Sequence, residues 1–344
     1  MTRDAGTRRG ARTRLRYSRI PILAGADLTT RRIAMMEARS GRPGPTLWIT
    51  AGVHGDEVGG VVVVQEVFRR LRRELARGRV LAIPLLNPFG FETGSRPIPA
   101  TGEDLNRAFP GDPGGSFAER VAHLAHARIR AAAPDLVLDL HNDWIRSIPY
   151  ALLDPRPASA EGRDARRRAR AAALASGLPV VDEQEEGVSR AELRSTLSGS
   201  LLECGVPALT FELGAAQAVD EANVQAGVRA VWRTMRHLGL VDGAPPQDAN
   251  DGGAAAPPGY RGRVLRYSHR PFPSCSAIVR FEVAPGQVVR AGAPLATLVD
   301  VFGRRVERLH AEGDALVLGH ADTSLAVPGA PVVALATRRP AQRA

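Results

Sequence analysis

T-L-W-I-T-A-G-V-H-G-D-E, Thr46 to Glu57, is the stretch that decides the fold. Thr46 to Ala51 is an apolar run of strand length around Leu47, Trp48 and Ile49, bounded upstream by the turn Gly41-Arg42-Pro43-Gly44-Pro45. From Glu57 to Arg77 the period changes. Apolar Val61, Val64, Val67, Phe68 and Leu71 recur at helical spacing, while Arg69, Arg70, Arg72 and Arg73 face water. A buried strand, a polar glycine-containing turn and a helix in succession make the repeating unit of an open α/β sheet.

The same pattern extends in both directions. Arg32 to Ala38 and Val80 to Leu86 read as strands, the latter ending in Asn87-Pro88. Phe117 to Ala132 reads as a helix, and D-L-V-L-D-L-H-N, Asp135 to Asn142, supplies a strand over Asp135–Leu140 that ends in polar residues. Glu161 to Ser176 is a helix, Leu209 to Leu213 a strand, and Ala216 to Leu238 a long helix. The alternation predicts an α/β fold with a mainly parallel sheet and helices on both faces. A Pro, Gly, Ala and Asp run then reads as a linker over residues 242–259. Beyond it, Arg263–Tyr267, Ala277–Phe281, Pro294–Val299 and Ala315–Leu318 are short strands between Gly and Pro turns, which predicts a small all-β domain over residues 260–337. V-A-P-G-Q-V-V-R-A-G-A-P-L (Val283–Leu295) and V-P-G-A-P-V-V (Val327–Val333) resemble the barrel-sandwich hammerhead of biotinyl and lipoyl carriers. The expected domains are thus a basic disordered tail (1–19), a catalytic domain (20–241), the linker, the β domain and a short tail (338–344).

Composition narrows the function. No stretch approaches the roughly 18 to 20 apolar residues of a membrane span, and no apolar segment follows the N-terminal arginines, so a soluble cytoplasmic protein is expected. Of the net charge of +10, Met1 to Arg19 contributes seven arginines against one aspartate, 7 − 1 = +6. The excess therefore sits mostly in the tail. The arginines of Arg163–Arg170 read as a solvated helix face, and neither cluster is interleaved with base-stacking aromatics, so no nucleic-acid partner is expected. The chain contains no lysine. That excludes a Walker phosphate loop, a Schiff base and a biotin or lipoyl attachment, and leaves the β domain to shape a cleft rim or a homo-oligomer contact. Cys204 and Cys275 show no metal-binding spacing and read as small buried side chains.

The chemistry resides in the polar strand ends. A hydrolytic zinc site takes three His or carboxylate ligands and leaves one position open. His54 and Glu57, three apart at the strand-to-helix turn, can bend toward one point, and His141 would arrive from a neighbouring strand end. Taken singly each has a plainer use: His54 as a helix cap, Glu57 as a first-turn acid, His141 as a hydrogen-bonded strand terminus. Three together at strand ends of one sheet favour a metal. Glu212, in A-L-T-F-E-L-G, is a carboxylate in an apolar strand, either a solvent-facing strand end or a general base. The loop from Asn87 to Pro110 has no periodicity and carries Arg96, Asp104, Asn106 and Arg107, a set able to grip a carboxylate.

H-G-D-E (His54–Glu57), D-L-N-R-A-F-P-G (Asp104–Gly111), D-L-H-N (Asp139–Asn142) and F-E-L-G (Phe211–Gly214), in this order, resemble the succinylglutamate desuccinylase and aspartoacylase family, amidohydrolytic relatives of the zinc carboxypeptidases. The likeness spans about Ile20 to Leu240. It implies one zinc ion on His54, Glu57 and His141, with Glu212 activating water and protonating the leaving amine. It also implies Arg96 on the scissile carbonyl, and Asn106 and Arg107 on a substrate carboxylate. Aspartoacylase-like members draw a substrate-binding lysine from the C-terminal domain, which this chain cannot supply; Arg190 or Arg194 would have to bind a second carboxylate. The expectation is a zinc-dependent deacylase of a small N-acyl amino acid, such as an N-acetyl-diaminobutyrate-like compound. The rival is a zinc carboxypeptidase or peptide amidase acting on short peptides.

Overall fold

The computed structural model describes residues 13–25, 27–183, 189–246 and 257–338. Most of the expected N-terminal tail, nearly all of the C-terminal one, and residues 247–256 of the linker lie outside the described residues. The chain enters through β1 (Arg14–Ala24) and β2 (Thr30–Arg39), then β3 (Thr46–Ala51), α1 (Gly59–Glu74), β4 (Arg79–Ile83) and a short α2 (Pro88–Thr93). Next come α3 (Phe117–Ala132), β5 (Leu136–His141), β6 (Arg146–Ser147), β7 (Tyr150–Leu153), α4 (Ala160–Ser176) and β8 (Val180–Asp182). Two short helices, α5 (Arg190–Arg194) and α6 (Leu197–Glu203), precede β9 (Ala208–Glu212) and α7 (Glu221–His237). The rest is β: β10 (Val264–Ser268), β11 (Ala277–Phe281), β12 (Val288–Val289), β13 (Pro294–Val299), β14 (Arg305–His310), β15 (Ala315–His320), β16 (Leu325–Ala326) and β17 (Val333–Thr337).

At the centre, β4, β3, β5 and β9 lie side by side and parallel. Strand alternation divides their side chains between two cores. Leu47, Ile49, Leu138, Leu140 and Phe211 pack beneath α1, α4 and α7, while Trp48, Val137 and Ala208 pack on the other face with α3 and α6. Both faces are covered, which is why these strands read as continuous apolar runs. The same alternation puts Asp139, His141, Thr210 and Glu212 on the face shared with α6, and the register sets His141 directly beside Glu212.

The sheet as a whole is mixed rather than mainly parallel. β1 and β2 add antiparallel to β4, and β7 lies antiparallel to β9. β7 and β8, four and three residues long, are too short to carry a period, so they were not legible. Residues 14–19, assigned above to the tail, are instead the first half of β1. Arg14, Arg16 and Arg19 stand exposed along an edge strand, where charged side chains guard an unpaired ladder. The loop from Asn87 also holds structure. Asn87 caps α2 by accepting from the Gly90 N–H at 2.9 Å, and Pro88 stands at its start.

The C-terminal strands do two things. β10 pairs parallel with β8 and leads into β17, β15 and β12, so the large sheet runs on from the α/β part to reach 13 strands among the described residues. A smaller antiparallel sheet, β14-β13-β11-β16, packs against them through Val279, Leu295, Leu298, Val317 and Leu335. Cys204 is exposed at the end of α6 and Cys275 half-buried, both as free thiols, against the buried positions expected of them.

The turn after β3 is set by glycine. A Cβ on Gly55 would lie 2.0 Å from the Gly90 carbonyl carbon and 2.2 Å from the Phe91 nitrogen, so only glycine lets this turn rest on α2. Gly55→Ala is therefore expected to destabilise the protein by about 1–3 kcal/mol. Denaturant unfolding checks it, and wild-type stability in the variant would contradict the packing.

Candidate active site

His54 and Glu57 occupy the turn between β3 and α1, and His141 ends β5. All three are buried, and one ligand atom from each lies within 4.8 Å of the others. The Glu57 carboxylate stands between the two imidazoles, with His54 Nδ1 2.6 Å from Oε1 and His141 Nδ1 2.9 Å from Oε2. The Asn142 N–H donates to Oε2 at 3.0 Å, and the Asn142 side chain accepts from the Gly59 N–H at 3.0 Å. One residue thus ties the end of β5 to the start of α1.

Each imidazole has a carboxylate behind it. His54 Nε2 is 3.1 Å from Asp104 Oδ1, and His141 Nε2 is 2.9 Å from Asp139 Oδ2. A carboxylate on one ring nitrogen holds the proton there and frees the other lone pair, so both rings present Nδ1 as donor to a common point. Two nitrogens, a carboxylate and this backing are the donor set of a hydrolytic zinc site, and the residues fit one ion. Burial opposes ionisation of Glu57, but the two histidine charges and their hydrogen bonds outweigh it and hold the carboxyl well below the usual range. Burial likewise opposes charge on His141, yet Asp139 and Glu57 raise it well above an ordinary histidine.

Arg96 donates to Glu57 Oε1 at 3.4 Å and to Asp104 Oδ2 at 3.3 Å, with half of its side chain exposed toward the cleft. Asp104 in turn accepts from the Asn106 N–H at 2.8 Å, and Asn106 Oδ1 accepts from the Leu197 N–H at 2.9 Å. These residues, with Arg107 and Glu212, line a cavity of about 310 Å³ that is also lined by Tyr267 of β10 and by Pro331 from the loop before β17. Glu212 faces this cavity rather than bulk solvent. Its Oε2 is buried without a hydrogen-bond partner, and burial raises its pKa well above the carboxylate range, reinforced by Asp143 and Glu57 against the lowering effect of His141.

Of the residues named from sequence, His54, Glu57, His141, Glu212, Arg96, Asn106 and Arg107 all line one cavity. Arg194 does not. It pairs with Glu203 at 2.9 Å, and the side chain of Arg190 lies outside the described residues. Sequence reasoning overlooked Asp139 and gave Asp104 no role beyond its loop. The signal for Asp139 was present: in D-L-H the aspartate stands two residues before His141, on the same face of a strand. Asp104 carried no comparable signal, because its approach to His54 depends on how the loop folds.

A buried His-Glu-His set at strand ends, with a carboxylate behind each imidazole, defines a metal-dependent hydrolase site. The chain belongs to the family of the succinylglutamate desuccinylase/aspartoacylase catalytic domain, whose model matches residues 43–238. The donor set gives this member of the family a site that fits one zinc ion. The chain is 33% identical over 205 residues to the N-alpha-acetyl-L-2,4-diaminobutyric acid deacetylase of Halomonas elongata, over 58% of this chain and 56% of that protein, so it matches little more than half the length of that relative. The crystal structure of a succinylglutamate desuccinylase/aspartoacylase from Rhodobacter sphaeroides matches with a TM-score of 0.76 at 25% identity, covering 96% of each chain. The product-bound ectoine utilization protein EutE (DoeB) of Ruegeria pomeroyi shares the fold, with a TM-score of 0.73 at 21% identity over 95% of this chain and 96% of that one. Among the described residues, no helix is long and apolar enough to cross a membrane.

If Asp139 orients His141 for metal, Asp139→Asn lowers zinc affinity about 10–100-fold. Competition against a chromogenic chelator measures this, and an unchanged affinity would remove Asp139 from the site.

Proposed function

We propose that the protein hydrolyses the amide of a small N-acyl amino acid, releasing a carboxylate and a free amine. The observation that carries this reading is the juxtaposition, in one cavity, of the His54–Glu57–His141 donor set with a half-buried Glu212 whose Oε2 is buried without a hydrogen-bond partner. A zinc ion held by those three residues would supply Lewis acidity toward water and the scissile carbonyl. Glu212 would take a proton from the attacking water and return it to the departing amine nitrogen. Burial, which raises its pKa, favours holding the proton that must be returned to the amine. Arg96, beside Glu57 and open to the cleft, would offset charge developing on the carbonyl oxygen. Arg107 and the Asn106 amide would hold the substrate α-carboxylate, a bidentate cation with a neutral donor next to it.

A cavity of about 310 Å³, walled on one side by the C-terminal strands, suits a small substrate better than an extended peptide. We read the C-terminal part as a barrel-sandwich relative that closes the site rather than as a carrier, since it has no lysine to modify. Within the N-acyl amino acids, likeness to the Halomonas elongata deacetylase supports an N-acetyl-diaminobutyrate-like substrate.

Glu212→Gln is expected to keep zinc and to lower kcat by about 10²–10⁴-fold. Zinc content and amine release measured on the same preparation test this; near-wild-type turnover with full zinc would exclude Glu212 as the base.

A further inference from the structure

The end of the sheet opposite the active site carries another cavity, of about 770 Å³, whose lining includes Arg14, Arg39, Arg42 and Arg79 and no acidic or aromatic side chain. The strand registers build it. Arg14 of β1 lies opposite Arg39 of β2, Arg39 opposite Arg79 of β4, and Arg79 opposite Thr46 of β3. Residues paired across adjacent strands share a face, so three arginines stand in one row. The row meets β3 at its first residue, Thr46, whereas His54 and Glu57 follow the other end of that strand, six residues at about 3.3 Å each away. The two cavities share no lining residue.

Like charges directly opposite each other oppose strand pairing, and this row is not neutralised from within. Arg79 is half-buried and anchored, with Nε donating to Thr46 Oγ1 at 3.1 Å and Nη2 to the Ala132 carbonyl at 2.8 Å. Arg14, Arg39 and Arg42 are exposed, and among the described residues their guanidinium groups have neither a hydrogen-bond nor an ion-pair partner. Glu37, two residues before Arg39 on the same face, stands opposite Arg16 and outside the cavity. The sequence ahead of β1 only adds positive charge, with Arg3, Arg8, Arg9 and Arg12 against a single acid, Asp4. The loop that carries Arg42 is pinned in place. The Ser40 N–H donates to the Gly78 carbonyl at 3.0 Å, the Gly78 N–H to the Arg42 carbonyl at 2.9 Å, and the Arg42 N–H to Ser40 Oγ at 3.2 Å. Glycine permits this closeness: Gly78 has φ +69°, and a Cβ there would lie 2.1 Å from the Pro45 oxygen.

We propose that this cavity binds a small, soluble anion carrying two phosphoryl groups, with Arg14, Arg39 and Arg42 donating to them and Arg79 adding its anchored charge. Three free guanidinium groups offer more N–H donors than one carboxylate can accept, and their planar forks match phosphate oxygens in pairs. A phosphate monoester brings a charge of about −1.5 to −2 near neutral pH, so two of them offset the four arginines. A lining without aromatic side chains gives a nucleobase nothing to stack on, which disfavours a single-stranded polynucleotide.

Calorimetry on the zinc-loaded protein in about 0.15 M salt, where loose surface pairing is screened, uses fructose 1,6-bisphosphate as the probe and succinate as the control dianion. Wild type should bind the bisphosphate at least about tenfold more tightly than succinate, and Arg39→Gln combined with Arg42→Gln should weaken it by at least about tenfold. Arg107→Gln should leave it unchanged; a loss there instead would put the probe in the active-site cavity and overturn the assignment. Thermal unfolding adds a readout that a purely structural role would move the other way. Without probe at low salt, the double variant should melt no lower than wild type, because removing charge relieves the row, and it should lack the rise in Tm that the bisphosphate gives wild type. A lower Tm for the unliganded variant would assign these arginines to the fold rather than to a ligand. Equal affinity for succinate and bisphosphate would mean an adventitious ion only. A short oligodeoxythymidylate that binds more tightly than the bisphosphate and displaces it would make the surface one for polynucleotides, which equally overturns the small-anion site.

Discussion

The structure depends on one buried carboxylate. Glu57 lies between His54 and His141, takes an N–H from Asn142, and is approached by Arg96. An isolated carboxylate in such a place would be unstable by several kcal/mol, so its partners must come with it. Three carboxylates, Glu57, Asp104 and Asp139, surround the two imidazoles, with the Arg96 guanidinium beside them. A donor set so rich in carboxylate and imidazole suits a dication such as zinc.

The fold supplies these partners from several elements. Parallel pairing of β3, β5 and β9 brings three strand ends to one edge, and alternation along each strand decides which side chains reach the cavity. Asp139 and His141 come from one strand, Thr210 and Glu212 from the next, and the registers are fixed by the apolar residues between them. A slip of one residue in β5 would turn His141 into the α1 face and Leu140 into the site. The packing of Leu138, Leu140 and Phe211 beneath α1 and α7 is what prevents it. Core and catalytic geometry are thus two sides of the same strands.

Much of this was legible because it is local. The strand-turn-helix unit around His54, the apolar run before His141 and the trapped Glu212 each announce themselves within a dozen residues. What escaped was short or non-local. β7 and β8 have too few residues to show a period, yet they carry Asp154 and Glu183 to the cavity. The arginine-rich segment before Ile20 looked like a tail because charge outweighs apolar content there, and only pairing with β2 makes it a strand. The continuation of the large sheet through β10 could not be read either, since β8 and β10 are separated by most of the second half of the catalytic region.

His54, Glu57 and His141 are expected to hold one zinc ion through two Nδ1 atoms and a carboxylate. X-ray absorption at the zinc edge, on protein loaded with one equivalent, reads that shell. It should be low-coordinate, with two imidazole nitrogens and oxygen neighbours all at about 2.0–2.2 Å. A shell containing sulfur, or oxygen atoms alone without imidazole scattering, would contradict it.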